Sequence, residues 1–462
     1  MSSFAGKRVI VVGLGVSGFA AARALLDLEA KVRVTEAGSS DVVVERAEAL
    51  RAEGAEVEIG GHDLERLDGD LAVLSPGISP ASPVVSALKR EGVTTWSEIE
   101  LAYRLASCRF LAVTGTNGKT TTTSLLAAML AEGGVVSTAA GNIGVPLVEA
   151  VAGVPASGAI AVEVSSFQLA TIDEFRPVVA VVLNVAEDHT DWHGSFEEYA
   201  GAKARIVANQ TADDVFVPNF EDPIAMGMAS STEASVVPFT AGVPPRPGTG
   251  VVEGTLRWND LPILPVEDVP LGGVAGVEDA AAAATAALEI GVPAEAVARA
   301  IRGFRPLGHR LEVVAEVDGV AYIDDSKATN PHATLSAVRG LTDVVLIAGG
   351  RTKGIDMTPL RATVPPVRFV VAIGEAAQEI ERAFDGVAPV ERAATMPEAV
   401  DKASARAKRG GSVLLSPGCA SLDMYESYAA RGEDFARAIR NRIGRGSAGR
   451  EPSTRRLDGD AH

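Results

Sequence analysis

Two cysteines, Cys108 and Cys419, are all that 462 residues contain. That scarcity excludes a disulfide-framed scaffold and fits a reducing compartment. Also missing is any run near the roughly 20 apolar residues that a membrane helix needs. Residues 1–7 lead straight into an apolar strand, without the charged, apolar and small-residue segments of a secretion signal. A cytoplasmic protein with no membrane insertion is expected. Basic charge is scarce as well: 42 Lys and Arg stand against 60 Asp and Glu, a formal net charge of −18. No basic stripe of the kind that binds nucleic acid interrupts this balance. The same charge opposes anionic ligands at long range, so phosphates would need local lysines, backbone N–H groups or metal ions. No internal repeat of fixed period occurs.

What is present is a profile of small residues and turns, 47% hydrophobic with 47 glycines. The length predicts about three domains, each alternating strands with helices as parallel α/β sheets do. In the first block an apolar run at 8–12 ends in glycines 13–18, a helical pattern reaches residue 28, and strands follow at 31–36 and 71–74. The second block holds strands at 109–113, 159–164 and 178–184. Each is a short apolar run followed by polar residues, as for strands buried on both faces with ligands beyond their carboxyl ends. A hairpin-like stretch at 251–269 and an alanine-rich helix at 278–290 complete it. The third block opens with a hairpin over 311–324 turning at Asp318-Gly319, then strands at 344–347, 369–373 and 412–415. The predicted domains are 1–97, 98–305 and 306–445. The Gly-, Ser-, Arg- and Asp-rich tail, 446–462, is expected to be disordered.

The motif Gly13-Leu-Gly15-Val-Ser-Gly18 follows a strand, and Glu36 ends the next one. This is the dinucleotide fingerprint: a tight turn aims a helix N-terminus at a pyrophosphate, and an acid meets a ribose hydroxyl. UDP also carries a pyrophosphate and a ribose, so the pattern alone does not separate it from NAD. A second loop, Thr114-Gly-Thr-Asn-Gly-Lys-Thr-Thr121, ends like a phosphate-binding loop, although Val113 stands where the longer pattern has its first glycine. Gly118, Lys119 and Thr120 would then serve backbone amides, terminal phosphates and Mg²⁺ respectively. Lys119 opens a helix, where its charge opposes the dipole unless an anion is near.

Glu163 ends an apolar strand, where a carboxylate is costly unless paired or bound to a cation. Ser165 and Ser166 offer it hydroxyls. A helix over 195–209, with Ser195 as a plausible cap, presents Phe196, Tyr199, Ala200, Ile206 and Val207 as an apolar stripe. Lys203 falls on that stripe rather than on the solvent face. It either snorkels outward at the stripe's edge or serves chemistry inside.

The segment Val113-Thr-Gly-Thr-Asn-Gly-Lys-Thr-Thr121 resembles the ATP loop of the Mur ligases and folylpolyglutamate synthetases. Gly141-Asn-Ile-Gly144, Glu163-Val-Ser-Ser-Phe-Gln-Leu169 and Asn184-Val-Ala-Glu-Asp-His189 resemble the later motifs, in order. Asp325-Ser-Lys-Ala-Thr-Asn330 and Leu415-Ser-Pro-Gly-Cys-Ala-Ser-Leu-Asp423 look like those of the D-glutamate-adding branch. The likeness runs to about residue 443. It implies a Rossmann-like N-terminal domain, a central P-loop-type ATPase domain with a mainly parallel sheet, and a Rossmann-like C-terminal domain. The implied activity is an ATP-dependent amide ligation of D-glutamate to a UDP-linked muramoyl-L-alanine, through an acyl phosphate, in peptidoglycan precursor synthesis. The expected protein is monomeric and uses ATP and Mg²⁺.

The resemblance also implies roles, residue by residue. Lys119, Asn142, Glu163, His189 and Lys203 would be catalytic. Gly115, Thr116, Asn117, Gly118, Thr120, Thr121, Asp279, Arg310, Asp325 and Lys327 would join Lys119 at ATP. The UDP substrate would meet Gly15, Val16, Ser17, Glu36, Ser75, Gly77 and Asn142, and D-glutamate would meet Thr329, Lys353, Ser421 and Tyr428. Mg²⁺ would meet Thr120, Glu163, His189 and Lys203, the lysine carrying a carbamate derived from CO₂. Three departures stand out. Only Asp279 offers a polar group where relatives place His-Asn before the alanine-rich helix. Ala37 and Gly38 follow Glu36 where Thr and Arg are common, so uracil must be read differently. Tyr428 stands where another aromatic is usual. The alternatives are a sibling ligase for another amino acid, an NAD-dependent dehydrogenase and a nucleotide-sensing module without catalysis.

Overall fold

The computed structural model describes residues 4–305 and 308–448. Two compact units divide at Arg305 and Pro306. In the first unit, strands β1 (Arg8–Val12), β2 (Lys31–Glu36), β3 (Glu56–Ile59), β4 (Leu71–Leu74) and β5 (Thr95–Ser97) form a parallel sheet of order β3-β2-β1-β4-β5. The order reverses direction between β1 and β4, which opens a crevice at the strands' carboxyl ends.

A second parallel sheet in this unit contains β6 (Arg109–Thr114), β7 (Ser137–Gly141), β8 (Ala159–Glu163), β9 (Val179–Val182), β10 (Val215–Pro218) and β11 (Ser235–Val236). Its order is β11-β10-β9-β6-β8-β7. Every residue of β8 and β9 is buried, as the continuous apolar runs require. β9 is shorter than 178–184 because the chain leaves the sheet to present Asn184. The stretch read as a hairpin is a three-stranded antiparallel meander of β12 (Thr249–Val252), β13 (Thr255–Trp258) and β14 (Leu261–Pro265). The alanine-rich helix starts earlier than expected, at Gly273, and runs to Glu289. Its alanines are buried against the helix Lys119–Glu132, where small side chains permit close approach.

The second unit holds β15 (Glu312–Val317), β16 (Val320–Asp324), β17 (Val344–Gly349), β18 (Val367–Ile373), β19 (Val390–Arg392) and β20 (Ser412–Leu415), ordered β15-β16-β20-β17-β18-β19. The β15–β16 pair is antiparallel and the other strand pairs of this sheet are parallel. The β15–β16 turn has positive φ at both Asp318 and Gly319, the conformation expected of that pair. The last helix, Tyr428–Ala448, runs three residues into the stretch expected to be disordered, and residues 449–462 lie outside the described residues. Among the described residues, no helix is long and apolar enough to cross a membrane. Both cysteines are unpaired.

Candidate active site

Four neighbouring strands of the second sheet, β9, β6, β8 and β7, are parallel, so their carboxyl ends lie along one edge. Each end delivers one predicted segment: Asn184–His189 after β9, the Gly115–Thr121 loop after β6, Glu163 on β8, and Asn142 after β7. Asn184 Oδ1 accepts from Asn117 N at 2.8 Å, and Thr116 N donates to Asn184 O, so the loop is stitched to its neighbour. Gly118 sits at φ +84°, and a Cβ there would meet Asp279 Oδ1 at 2.3 Å. Asp279 also accepts from Thr122 Oγ1 at 3.1 Å, which places it at the phosphate loop. Thr120 lies in the first turn of Lys119–Glu132.

From beneath, the helix Phe196–Ala204 supports this loop. Ser195 caps it by accepting from Glu198 N. The helix is shorter than predicted, because a 3-10 turn takes over at Arg205–Val207. Tyr199 Oη bonds Thr116 Oγ1 at 2.9 Å. One turn on, Lys203 Nζ donates to Gly115 O at 2.7 Å, lies 4.6 Å from the Tyr199 ring centre, and is buried. It does not snorkel. Burial, and then the charge of Lys119, holds its ammonium well below the ordinary lysine range, against the pull of Asp188 and Glu163.

Glu163 is buried, and its Oε1 accepts from Asn142 Nδ2 at 2.8 Å. The serine hydroxyls go elsewhere: Ser165 Oγ to Gln168 and Ser166 Oγ to His193. Glu163 Oε2 is left buried with no hydrogen-bond partner. An oxygen in that state suits a cation. Among the described residues no three His, Cys, Asp or Glu side chains gather as a metal cage. Of the predicted oxygen-rich set, only Glu163 and His189 are of those types. His189 is held at φ +52°, its N donating to Asp188 Oδ1, with its ring 4.8 Å from Phe167.

In the N-terminal sheet, Gly13 and Gly18 make the turn possible: a Cβ on Gly18 would lie 2.0 Å from Gly13 O. Gly15 and Val16 are exposed at the helix start, Ser17 is half-buried, and Ser75 Oγ donates to Gly13 O across the crevice beside exposed Gly77. Glu36 accepts from Leu14 N and Gly38 N, each at 2.6 Å.

The C-terminal sheet gathers a separate group at the ends of β16, β20 and β17. Ser416 Oγ donates to buried Asp325 at 2.8 Å, and burial pushes that carboxyl up to about 7, against the Ser416 bond and Arg310. Lys327 Nζ lies 3.9 Å from the Tyr428 ring centre. Gly418 N donates to Ala328 O next to Thr329, and Arg351 pairs with Ala420, which brings the Lys353 and Ser421 loops together. The fully buried Arg431 binds Ser326 Oγ, Ser326 O and Cys419 O, tying two of these loops. Sequence reasoning passed over it, because its helix position reads as one more charge in a polar stretch.

The chain matches the family model described as the Mur ligase MurD-like N-terminal domain over residues 7–97. It matches the Mur ligase middle domain over 113–243 and the Mur ligase glutamate ligase domain over 309–419. Its relatives include a UDP-N-acetylmuramoylalanine–D-glutamate ligase of Frankia casuarinae, 46% identical over 96% of each chain. The protein of that name from Thermobifida fusca is 42% identical over 94% of this chain and 98% of its own. Among solved structures, MurF from Acinetobacter baumannii covers 93% of each chain at a TM-score of 0.61 and 17% identity. A pseudomurein peptide ligase type C from Methanothermus fervidus gives 0.58 and 18%, covering 95% of this chain and 100% of its own. At such identities the structural likeness speaks for the fold.

Proposed function

The chain belongs to the Mur ligase family, and from that premise we propose that it joins D-glutamate to UDP-N-acetylmuramoyl-L-alanine with hydrolysis of ATP. One observation carries the chemistry. The phosphate loop is gripped by two lysines on the Gly115 carbonyl, beside a buried carboxylate with an unpartnered oxygen. A dehydrogenase has no use for such a cluster, and turnover separates a ligase from a passive nucleotide sensor.

The L-alanyl carboxylate attacks the γ-phosphorus of ATP, and the bond to ADP breaks. The amine of D-glutamate then attacks the acyl carbon and phosphate leaves with the amide formed, the amine losing a proton. Lys119 and the amides of Gly115–Thr121 stabilise charge on the transferring phosphoryl group. Asn142 orients Glu163 through its side-chain bond. Thr120, Glu163, His189 and a carbamate on Lys203 would hold Mg²⁺, which when bound offsets phosphate charge. The carbamate forms as the neutral amine of Lys203 adds to CO₂ and loses a proton.

The glycines 13–18 take the UDP group, since the Lys119 loop already serves ATP. Arg310, Asp325 and Lys327 serve the nucleotide, while Thr329, Lys353, Ser421 and Tyr428 hold D-glutamate. We assign three domains with limits at 97 and 305, and a monomer working in the cytoplasm. The test is phosphate release with ATP, Mg²⁺ and UDP-N-acetylmuramoyl-L-alanine against a panel of amino acids. D-glutamate should be required. Turnover with L-alanine or a diamino acid instead would move the chain to a sibling activity.

A further inference from the structure

The uridine end of the substrate needs a reader, and Ala37 and Gly38 supply no side-chain donor after β2. Both oxygens of Glu36 are already engaged by backbone amides. A cavity of about 450 Å³ lies between the loops that follow β3 and β4, walled by Leu64, Gly77, Ile78 and Val84. The neighbouring reversal of strand order between β1 and β4 is where open parallel sheets take nucleotides. The apolar walls suit a flat base. Among the lining residues, His62 is the one whose side chain carries nitrogen.

His62 is built into place. Gly60 N donates to Gly38 O and Gly61 N to Glu36 O, folding the loop after β3 onto the end of β2. Thr35, fully buried on β2, meets His62 Nδ1 with its hydroxyl at 2.7 Å. The other acceptors within reach of that hydroxyl, Glu58 Oε2 and Gly61 O, are at 3.4 and 3.5 Å. Of the two arrangements this contact allows, the one in which the Thr35 hydroxyl donates leaves Nδ1 the acceptor. In that arrangement the ring proton sits on Nε2, and in either the contact fixes the ring plane, the usual way a histidine is prepared for a specific partner.

We propose that His62 reads the pyrimidine of the UDP substrate, its Nε2–H donating to the base carbonyl that distinguishes uracil from cytosine. This rests on the reading that the N-terminal sheet binds uridine diphosphate. Cytosine presents an amino group at that edge, so the contact repels it. The experiment is calorimetric titration of the full-length protein with UDP and with CDP, for the wild type, His62→Ala and His62→Gln. Alanine should weaken UDP about tenfold, the value of one hydrogen bond in a site, and CDP less than threefold. Glutamine keeps an N–H donor, so it should hold UDP within threefold of the wild type and keep the preference for it. Unchanged UDP binding in the alanine variant, equal losses for both nucleotides, or a glutamine variant without the preference would each overturn the assignment. Turnover with D-glutamate, measured on the wild type, separates the two readings: UDP binding without turnover would strike the ligase reading and leave His62 standing.

Discussion

Lys119 and Lys203 donate to one acceptor, the carbonyl oxygen of Gly115, at 2.8 and 2.7 Å. They arrive from different helices, one opening behind the phosphate loop and one passing beneath it. Two ammonium groups on one carbonyl repel each other. The buried one yields, so Lys203 is the lysine prepared to lose its proton.

From this follows the first prediction. Lys203→Ala should lose at least about a hundredfold in kcat while staying folded and still binding the UDP substrate, as judged by thermal melting and calorimetry. Lys203→Arg should fail equally, because a guanidinium cannot become a carbamate. Formate or acetate should restore part of the activity of the alanine variant by supplying the missing carboxylate. Full activity in that variant would remove Lys203 from the mechanism.

Glu163 tests the cation reading. Glu163→Gln keeps an oxygen for Asn142 Nδ2 and replaces the unpartnered Oε2 with a neutral amide. The Mg²⁺ concentration giving half-maximal phosphate release should rise at least about tenfold, since Mg²⁺ favours charged oxygen ligands. An unchanged Mg²⁺ dependence would mean that the carboxylate only anchors Asn142.

How much of this site could be read in advance depended on sequence separation. Lys203 on its apolar stripe, Lys119 at a helix start and Glu163 at a strand end each announce themselves through local pattern. The strands β3, β5, β7, β10, β11 and β19 did not, because segments of two to five residues, several of them rich in small or charged side chains as in Ser137–Gly141, carry little periodic signal. Arg431 and His62 escaped for another reason. Arg431 gains its meaning from Ser326 and Cys419, and His62 from Thr35 on a neighbouring strand, contacts that no spacing rule encodes.

Gly118→Ala should be costly twice over. A left-handed φ strains alanine by about 1–3 kcal/mol, and its Cβ would lie 2.3 Å from Asp279 Oδ1. The loop must shift, so the ATP KM should rise at least about tenfold while UDP affinity, measured by calorimetry, stays near wild type. Equal losses for both nucleotides would point to general unfolding of the unit.

Glu98 provides a pH-dependent test of stability away from the chemistry. It follows β5, is buried, and accepts from Val148 N at 2.6 Å, which caps the short helix Leu147–Ala150 behind the Asn142 loop. Its Oε2 has no partner. Burial raises the carboxyl from 4.5 to about 7, with Glu149 adding to the rise and the two backbone bonds opposing it. Below the unfolded value, native and unfolded chains both hold the proton, and nothing is lost. Between 4.5 and about 7 the native chain keeps a proton that the unfolded chain has released, so stability falls as pH rises through this window. Above it the full penalty persists, on the order of 3 kcal/mol. Glu98→Gln retains a carbonyl for Val148 N and cannot ionise. In urea titrations the variant should match the wild type near pH 4 and exceed it by about that amount at pH 8. A variant less stable than wild type at pH 8 would show instead that the ionised carboxylate, held by the helix amides, supports the loop that carries Asn142.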